Sequence, residues 1–425
     1  MNFRISLLPS HLLLLTFLMP SPARAQSPDR ALEQARKLLR STPLIDGHND
    51  LPWTIRESEK APRDVAAYDL RTQTTGHTDL SRLAQGQVGA QFWSIYIPGE
   101  IKDSGFAKVQ LEEFDIARRV IARYPDRLSL ALSAEDIERS FKRRKIASLL
   151  GMEGGHAIEN SLGALRSYYD LGARYLTLTH NVTLDWADAA LDSTRHGGLT
   201  EFGREVVREM NRLGMLVDLS HVSPATMSDV LDVTESPVIF SHSAARALTD
   251  HGRNVPDSIL ARLPRNGGVV MVTFVPAFVS PEVAAWEAQA KEQGTAIKEA
   301  VTDSVEQKRR FEEWKGTHPR PRATLKQVAD HIEHVRKVAG SDHVGIGSDF
   351  DGIDTVPEGL EDVSKFPQLF AELIRRGWSD SDLKKLAGQN VLRALRAAET
   401  TAARLQKTRE PSTKTIEQLD GERRT

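Results

Sequence analysis

The feature that most constrains this chain is a repeating alternation between short apolar or β-branched runs and longer amphipathic stretches. Eight runs occur, at residues 43–46, 90–96, 146–150, 175–179, 215–219, 237–240, 268–274 and 344–347. Helical periodicity fills the gaps, as in 201–213, where apolar residues recur at helical spacing. Strict alternation of strands and helices predicts an α/β fold, a (β/α)8 TIM-type barrel. The alternative fold is a doubly wound open sheet. Such sheets often carry a glycine-rich phosphate-binding loop after a strand, and none follows any of these runs.

Composition narrows the chemistry that such a barrel can carry. The 425 residues suit one large domain, and 56 basic against 58 acidic side chains leave a net charge of −2. That balance argues against a nucleic-acid partner, which usually leaves a basic footprint. The chain contains no cysteine. Disulfides and thiolate chemistry are therefore excluded, and any metal must bind histidine, aspartate or glutamate.

The two ends of the chain and one internal segment do not follow the alternation of strands and helices. Residues 1–25 combine Arg4, an apolar run and a small-residue cleavage site ending at Ala25, which predicts a signal peptide. The apolar run is shorter than the roughly 20 residues of a membrane span, so we expect no membrane anchor in the mature chain. We therefore expect an exported protein, periplasmic or secreted. Residues 399–425 are predicted to be a polar, disordered tail.

The predicted barrel domain covers residues 26–398. Within it, a charged insertion at 281–322 separates the seventh and eighth runs and contains helix-like stretches. Two interpretations remain open for it: a solvated surface excursion, or a lid over a site at the rim of the barrel.

Side chains that can bind metal follow six of the eight runs, where each run ends. They are His48, Asp50, Glu153, His180, His221, His242 and Asp349. In a barrel these positions converge on the C-terminal rim, where barrel enzymes carry out their chemistry. The pair His48-x-Asp50 places both side chains on one face of an extended segment. The same spacing occurs at His77-x-Asp79 without a preceding strand, and we expect no metal role for that copy.

The rim carries more ligands than one catalytic zinc uses, because that ion takes three protein ligands and keeps one position open. A two-metal centre bridged by a carboxylate accounts for the surplus. Two metals can share and deprotonate a water molecule near neutral pH. Arg253, eleven residues after His242, suits bidentate capture of a carboxylate.

Motifs around these residues resemble the membrane dipeptidase (renal dipeptidase) family of zinc peptidases. The resemblance runs from about residue 42 to residue 396, in the order of the family. The matching stretches are 45–52, 91–94, 153–156, 175–181, 217–221, 241–243, 253–257 and 347–352.

The resemblance implies a two-zinc centre and a role for each residue. His48 and Asp50 would bind one zinc, His221 and His242 the other, and Glu153 and a water or hydroxide would bridge them. His180 would steady the substrate carbonyl, Arg253 would bind the free carboxylate of a dipeptide, and Asp349 would carry a proton. The implied reaction is hydrolysis of dipeptides, including those with a C-terminal D-residue, by attack of the bridging hydroxide. A homodimer is also implied.

One departure and two alternatives accompany this resemblance. Relatives often offer a tyrosine hydroxyl to the substrate carboxylate after strand seven, whereas residues 274–278 contain no hydroxyl. The alternative function is an amidohydrolase-type barrel enzyme acting on a cyclic amide, a lactone or another non-dipeptide substrate. Such barrels more often begin with His-x-His and carry a lysine-type bridge, unlike Asp50 and Glu153 here. A catalytically inactive binding protein would lack a ligand, and none is missing.

Overall fold

Parallel strands form the centre of the molecule. The computed structural model describes Met1, residues 29–101 and residues 105–421, so the predicted signal peptide lies almost wholly outside the described residues. The described part contains nine strands: β1 Leu44–Asn49, β2 Val88–Tyr96, β3 Leu128–Leu130, β4 Ile146–Glu153, β5 Ala173–Thr177, β6 Leu216–Asp218, β7 Val238–Ser243, β8 Val269–Val272 and β9 Val344–Ile346.

Eight of these strands close into a barrel. All pairs are parallel, and neighbours in sequence pair from β4 through to β9. The ring closes because β9 also pairs with β1, and β2 pairs with both β1 and β4. The short β3 pairs only with the start of β4, beside the barrel. The predicted (β/α)8 barrel is therefore confirmed, and closure of the sheet excludes the open doubly wound alternative.

Helices surround this barrel. Those in the described part are α1 Arg30–Leu39, α2 Leu51–Arg56, α3 Leu80–Gln85, α4 Phe106–Arg123, α5 Ala134–Lys142, α6 Leu162–Asp170, α7 Glu201–Leu213, α8 Pro224–Val233, α9 Asp257–Leu260, α10 Leu263–Asn266, α11 Pro276–Val279, α12 Pro281–Ala300, α13 Ser304–Thr317, α14 Leu325–Ala339, α15 Phe366–Arg375, α16 Asp380–Lys384, α17 Asn390–Leu405 and α18 Ile416–Asp420. None of them combines the length and apolar character needed to cross a membrane.

Local signals set the limits of these helices. The predicted helix over 201–213 is α7, in which Thr200 caps the first turn by accepting a hydrogen bond from Gly203 N. Gly214 ends the helix with a φ of 84°, a left-handed conformation that glycine adopts without strain. Phe202, Val206 and Met210 are buried on one face, as their spacing predicts.

The core lies in two layers. One layer packs between the strands and the surrounding helices. The other fills the barrel and includes residues near the amino ends of strands, such as Leu216 and Val269, together with Val391 and Leu395 of α17. The amino end of the barrel is thus covered by α17, and the opposite end remains available for a site.

The insertion at 281–322 is a helical hairpin formed by α12 and α13. Trp286 and Trp314 pack their rings 5.6 Å apart between the two helices. The side chain of Arg320, after the hairpin, contacts Glu287 and Thr355. The hairpin thus joins the loop that follows β9, and its helical content agrees with the predicted helix-like stretches.

The end of the chain differs from the predicted disordered tail over 399–421. Residues 399–405 complete α17, and α18 packs on α7 with Ile416 buried. The carboxylate of Asp420 accepts a hydrogen bond from Phe202 N, and the Ser412 carbonyl accepts one from Arg166. Polar composition misled the prediction, because this segment buries only a few apolar side chains (Ala402, Leu405 and Ile416) and is otherwise held by polar contacts.

Candidate metal centre

The predicted metal-binding residues come together at the carboxyl ends of the strands. His48, Glu153 and His242 lie on β1, β4 and β7, whereas Asp50, His180, His221 and Asp349 lie in the loops directly after β1, β5, β6 and β9. His48 and His242 are buried almost completely, and Glu153 is 4% exposed. Barrel closure therefore gathers side chains that are up to 301 positions apart, as for His48 and Asp349.

The carboxylate of Glu153 stands at the centre of the cluster. Its Oε1 lies 3.0 Å from His221 Nε2 and 3.3 Å from His242 Nε2. Its Oε2 lies 3.4 Å from His48 Nε2 on the other side. The two carboxylate oxygens thus face different histidines, and this is the arrangement that a bridging ligand requires.

Carboxylates complete the half of the cluster around His48. Asp50 Oδ2 lies 3.2 Å and Asp349 Oδ1 lies 4.0 Å from His48 Nε2. Three overlapping groups could each hold a cation, since their ligand atoms lie within 4.8 Å of one another: His48 with Glu153 and His242, Glu153 with His180 and His221, and His48 with Asp50 and Asp349. Nitrogen and carboxylate oxygen are the donors that zinc uses.

A second layer of hydrogen bonds orients the three inner histidines. The Nδ1 of His48 lies 3.0 Å from the hydroxyl of Tyr175, and the Nδ1 of His242 lies 2.8 Å from the hydroxyl of Ser241. The Nδ1 of His221 lies 3.2 Å from Asn181 Oδ1. Each ring consequently directs its Nε2 towards the centre, as outer partners do in metal sites.

Residues that sequence analysis missed build this second layer. The ring of Tyr175 crosses the barrel at a point where a Cβ on Gly151 would come within 2.0 Å of it, so only glycine fits there. The hydroxyl of Ser241 donates to Asp218, whose carboxylate also accepts from the Ser241 N–H. Tyr175 begins one predicted run and Ser241 directly follows another, but only their contacts reveal the role.

Charge and burial keep two of the imidazoles neutral. Burial lowers the pKa of His221 and of His242 well below the usual value, and the guanidinium of Arg253 acts in the same direction on both. Burial also acts to lower the pKa of His48, but Tyr175, Glu153 and Asp50 outweigh it and raise the pKa. The His48 side of the cluster therefore favours positive charge.

His180 and Arg253 lie beside the cluster and face the same space. The ring of His180 lies 4.3 Å from that of His221, and burial lowers its pKa. Arg253 is 1% exposed, and burial lowers its pKa to about 10, so it stays charged at neutral pH. Its guanidinium donates to the Ser243 hydroxyl at 3.5 Å and to the His242 carbonyl at 3.4 Å.

These side chains open into one cavity of about 500 Å³. Its walls include seven of the eight predicted site residues and several that sequence analysis did not single out, namely Trp53, Tyr96, Asn181, Leu191, Val275, Phe278, Ile353 and Asp354. No residue of the hairpin at 281–322 is among those that line it. Most missed residues lie in loops, where periodicity carries no signal.

The second His-x-Asp copy stays outside the cluster, as predicted. The Nδ1 of His77 accepts a hydrogen bond from Asp351 N, and Asp79 caps α3 by accepting from Arg82 N. Both residues of this copy therefore have structural roles.

A (β/α)8 barrel whose carboxyl rim gathers histidines and carboxylates around a cavity is typical of metal-dependent hydrolases. Comparison with known proteins identifies the family within that class. The chain belongs to the membrane dipeptidase family, peptidase family M19, whose model matches residues 32–409. The protein is thus a hydrolase, a metallo-dipeptidase of this family.

Similar proteins extend across most of the chain. Dipeptidase verJ of Clonostachys rogersoniana is 41% identical over 393 residues, which cover 90% of this chain and 91% of that protein. A probable dipeptidase, PvdM, from Pseudomonas aeruginosa has a crystal structure with a TM-score of 0.75 and 26% identity, covering 88% of this chain and all of that one.

A third similar protein is a metallopeptidase from Rhodobacter sphaeroides. Its structure has a TM-score of 0.69 and 25% identity, and covers 84% of this chain and 99% of that one. That protein is liganded with a phosphinate mimic of the dipeptide L-Ala-D-Ala.

Proposed function

We propose that this protein is an exported two-zinc dipeptidase that hydrolyses the peptide bond of free dipeptides. The observation that carries the proposal is the orientation of Glu153, with one carboxylate oxygen towards His48 and the other towards His221 and His242. His48 and Asp50 would hold one zinc, His221 and His242 the other, and Glu153 would bridge them.

The donor set fits zinc in its chemistry and in its arrangement. The Nε2 of His48 is buried within 3.4 Å of two carboxylate oxygens, yet it has no hydrogen-bonding geometry with any described partner. The Nε2 atoms of His221 and His242 lie 2.9 Å apart, so both point at the same region. When bound, zinc ions would lower the pKa of a shared water molecule and polarise the scissile carbonyl.

Arg253 supports a substrate that ends in a carboxylate. Its guanidinium is buried, and its hydrogen bonds in the described part of the chain go to a hydroxyl and a carbonyl, with no ion pair to a carboxylate. A buried cation of this kind is costly unless a counter-charge binds it. The free carboxylate of a dipeptide would supply that charge in bidentate geometry.

His180 and Asp349 would assist the reaction from opposite sides of the cluster. His180 is held neutral by burial and would donate a hydrogen bond to the carbonyl oxygen as negative charge develops there. The Asp349 carboxylate lies 4.0 Å from His48 Nε2, with its side chain 14% exposed to the cavity. It would take a proton from the attacking water and deliver it to the leaving amine.

We extend the proposal to dipeptides with a C-terminal D-residue. Support comes from the Rhodobacter sphaeroides metallopeptidase, which binds a mimic of L-Ala-D-Ala. Since Arg253 would anchor the carboxylate from a fixed point, either configuration could place its side chain in the open part of the cavity.

A panel of free dipeptides and their C-terminal amides tests the proposal. Purified protein would be incubated with L,L- and L,D-dipeptides and the matching amides, with zinc or with a chelator, and released amino acids measured by mass spectrometry. We expect cleavage of free dipeptides of both configurations, at least a hundredfold slower cleavage of amides, and no cleavage with chelator. Equal cleavage of amides would refute the role of Arg253, and cleavage in chelator would refute the metal centre.

Export and dimerisation are also part of the proposal. The sequence pattern at Arg4 and Ala25 supports removal of residues 1–25, so the amino terminus of the protein recovered from the host should be Gln26. Family resemblance supports a homodimer, and light scattering of the purified protein should give twice the mass of the chain. An intact amino terminus or a monomer mass would contradict these two points respectively.

A further inference from the structure

The cavity wall beside Arg253 is apolar, in contrast to the charged centre. We infer that Leu191 and Phe278 form a subsite for the side chain of the C-terminal residue, so that the preferred substrates are dipeptides ending in a bulky apolar residue. This inference rests on the proposed dipeptidase function and on carboxylate binding by Arg253.

Leu191 is a large apolar side chain kept half-exposed at the cavity. It is 52% exposed and lines the cavity wall. A Cβ placed on Gly252 would lie 2.9 Å from Leu191 Cδ2, so the leucine lies directly beside the residue that precedes Arg253. Contact of the Leu191 side chain with water is unfavourable. An apolar group of a ligand that covered this side chain would remove its surface from water and so gain binding free energy.

The loop that carries Leu191 is held firmly on both sides of it. Ala190 N donates to the carbonyl of His221 at 2.7 Å, which ties the loop to the metal cluster. The carboxylate of Asp192 accepts hydrogen bonds from Thr183 N and Ser193 N. Leu191 is therefore presented at a fixed place rather than on a free loop, as a specificity residue needs to be.

Phe278 is the second large apolar residue of the cavity wall beside Arg253. Its ring centroid lies 5.3 Å from the guanidinium carbon of Arg253 and 4.4 Å from the ring of His251. The contact with Arg253 is a cation–π geometry, which orients the guanidinium without using its N–H groups. Val275 continues the same apolar surface at the cavity wall.

Covalent geometry places the C-terminal side chain beside these apolar residues. The carboxylate of a dipeptide and the side chain of its last residue leave the same Cα atom, so a carboxylate held by Arg253 brings that side chain next to Leu191 or Phe278. A charged side chain of either sign would lose hydration against these apolar residues. The expected order is therefore apolar, then glycine, then charged.

Steady-state kinetics with five dipeptides test the inference: Ala-Leu, Ala-Phe, Ala-Gly, Ala-Asp and Ala-Lys. For the unmodified protein we expect kcat/KM to be about tenfold or more higher for Ala-Leu and Ala-Phe than for Ala-Gly. Leu191→Ala should lower kcat/KM for Ala-Leu by about fivefold to tenfold and leave Ala-Gly within twofold. The side chain is half-exposed, so the substitution should not disturb folding.

Leu248→Ala provides the matched control. Leu248 is also partly exposed, at 36%, and lies in the segment between β7 and Arg253, but it does not line the cavity. This variant should retain the substrate order and rates of the unmodified protein. If it changed the order as Leu191→Ala does, the subsite would not be the cause.

The outcomes separate the inference from the function on which it rests. If dipeptides are cleaved but Ala-Leu, Ala-Gly and Ala-Asp show equal kcat/KM, the apolar subsite is overturned and the dipeptidase stands. An unchanged Ala-Leu to Ala-Gly ratio in Leu191→Ala also overturns it. If no dipeptide is cleaved, the proposed function itself fails.

Discussion

Two residues of the site have a backbone conformation that residues other than glycine seldom adopt. The φ angles are 69° at His221 and 67° at Asp349, both in the left-handed region. Such conformations cost about 1–3 kcal/mol each and cluster at functional sites. At both positions the turn directs the side chain back over the end of its strand, which places His221 against Glu153 and Asp349 near His48.

Asp349→Asn tests proton transfer without altering this backbone. Asparagine tolerates the left-handed conformation, so we expect a thermal midpoint close to that of the unmodified protein. An amide cannot carry the proton, and kcat should fall by about a hundredfold or more. Zinc content and kcat on dipeptides would be measured together.

Asp351→Asn is the control in the same loop. Its φ is 66°, and its carboxylate accepts a hydrogen bond from His77 N, which an asparagine oxygen can also accept. We expect less than a fivefold loss of kcat, well short of the loss on removing an acid–base group. Equal losses in the two variants would refute a special role for Asp349.

At the scale of elements, helices outside the barrel position loops at the rim. His331 lies on α14 and is 1% exposed, and its Nδ1 accepts a hydrogen bond from Ala245 N at 3.1 Å. The segment that begins at Ala245 continues to Arg253. Arg246 N donates to the carbonyl of Val255, and this hydrogen bond joins the two ends of the segment. A neutral His331 is required, because a protonated Nδ1 cannot accept that bond.

This hydrogen bond implies that the free energy of unfolding falls when His331 is protonated at low pH. Burial lowers the pKa of His331 to about 4, against about 6.5 in an unfolded chain. Its stabilising effect is complete above pH 6.5 and is lost as the pH falls towards 4, by about 1 to 3 kcal/mol. His331→Gln should flatten the decline in the free energy of unfolding between these pH values, measured by urea titration.

The exposed His318 of the hairpin provides the comparison for this experiment. His318→Gln should keep the pH slope of the unmodified protein, because that side chain is exposed in the folded state. The account of His331 would be wrong if both variants showed the same slope.

At the scale of the molecule, folding gathers several carboxylates and imidazoles in one place with little exposure to water. Glu153, Asp50 and Asp349 share a centre with His48, so bound cations should stabilise the folded state. At a thousandfold excess of zinc over its Kd, each ion adds about 4 kcal/mol. With two ions bound, the thermal midpoint should rise by roughly 10 °C.

Glu153→Gln should abolish most of this effect. A neutral amide cannot bridge two cations, so we expect reduced zinc content by elemental analysis and little zinc-induced rise of the midpoint. Glu135→Gln is the matched variant, since the Glu135 side chain is 84% exposed and does not line the cavity. A zinc-induced rise that persists in Glu153→Gln would contradict the bridging role.

Much of this architecture follows from local patterns in the chain. The apolar runs predicted all eight barrel strands, because each strand buries its side chains on both faces and leaves a continuous apolar signal. The donors at the run ends were also predictable, since parallel strands must bring their carboxyl ends to one rim. The three-residue β3 was missed because so short a strand leaves little periodicity.

Other features arise only when distant segments meet. The directions of the two Glu153 oxygens, the Tyr175 contact with His48 and the apolar wall of Leu191 and Phe278 depend on side chains far apart in the chain. The docking of residues 406–421 on α7 is likewise a set of pairings between separate segments. Strand periodicity and donor type are local properties of the sequence, whereas these distances exist only because closing the barrel fixes every strand relative to the others.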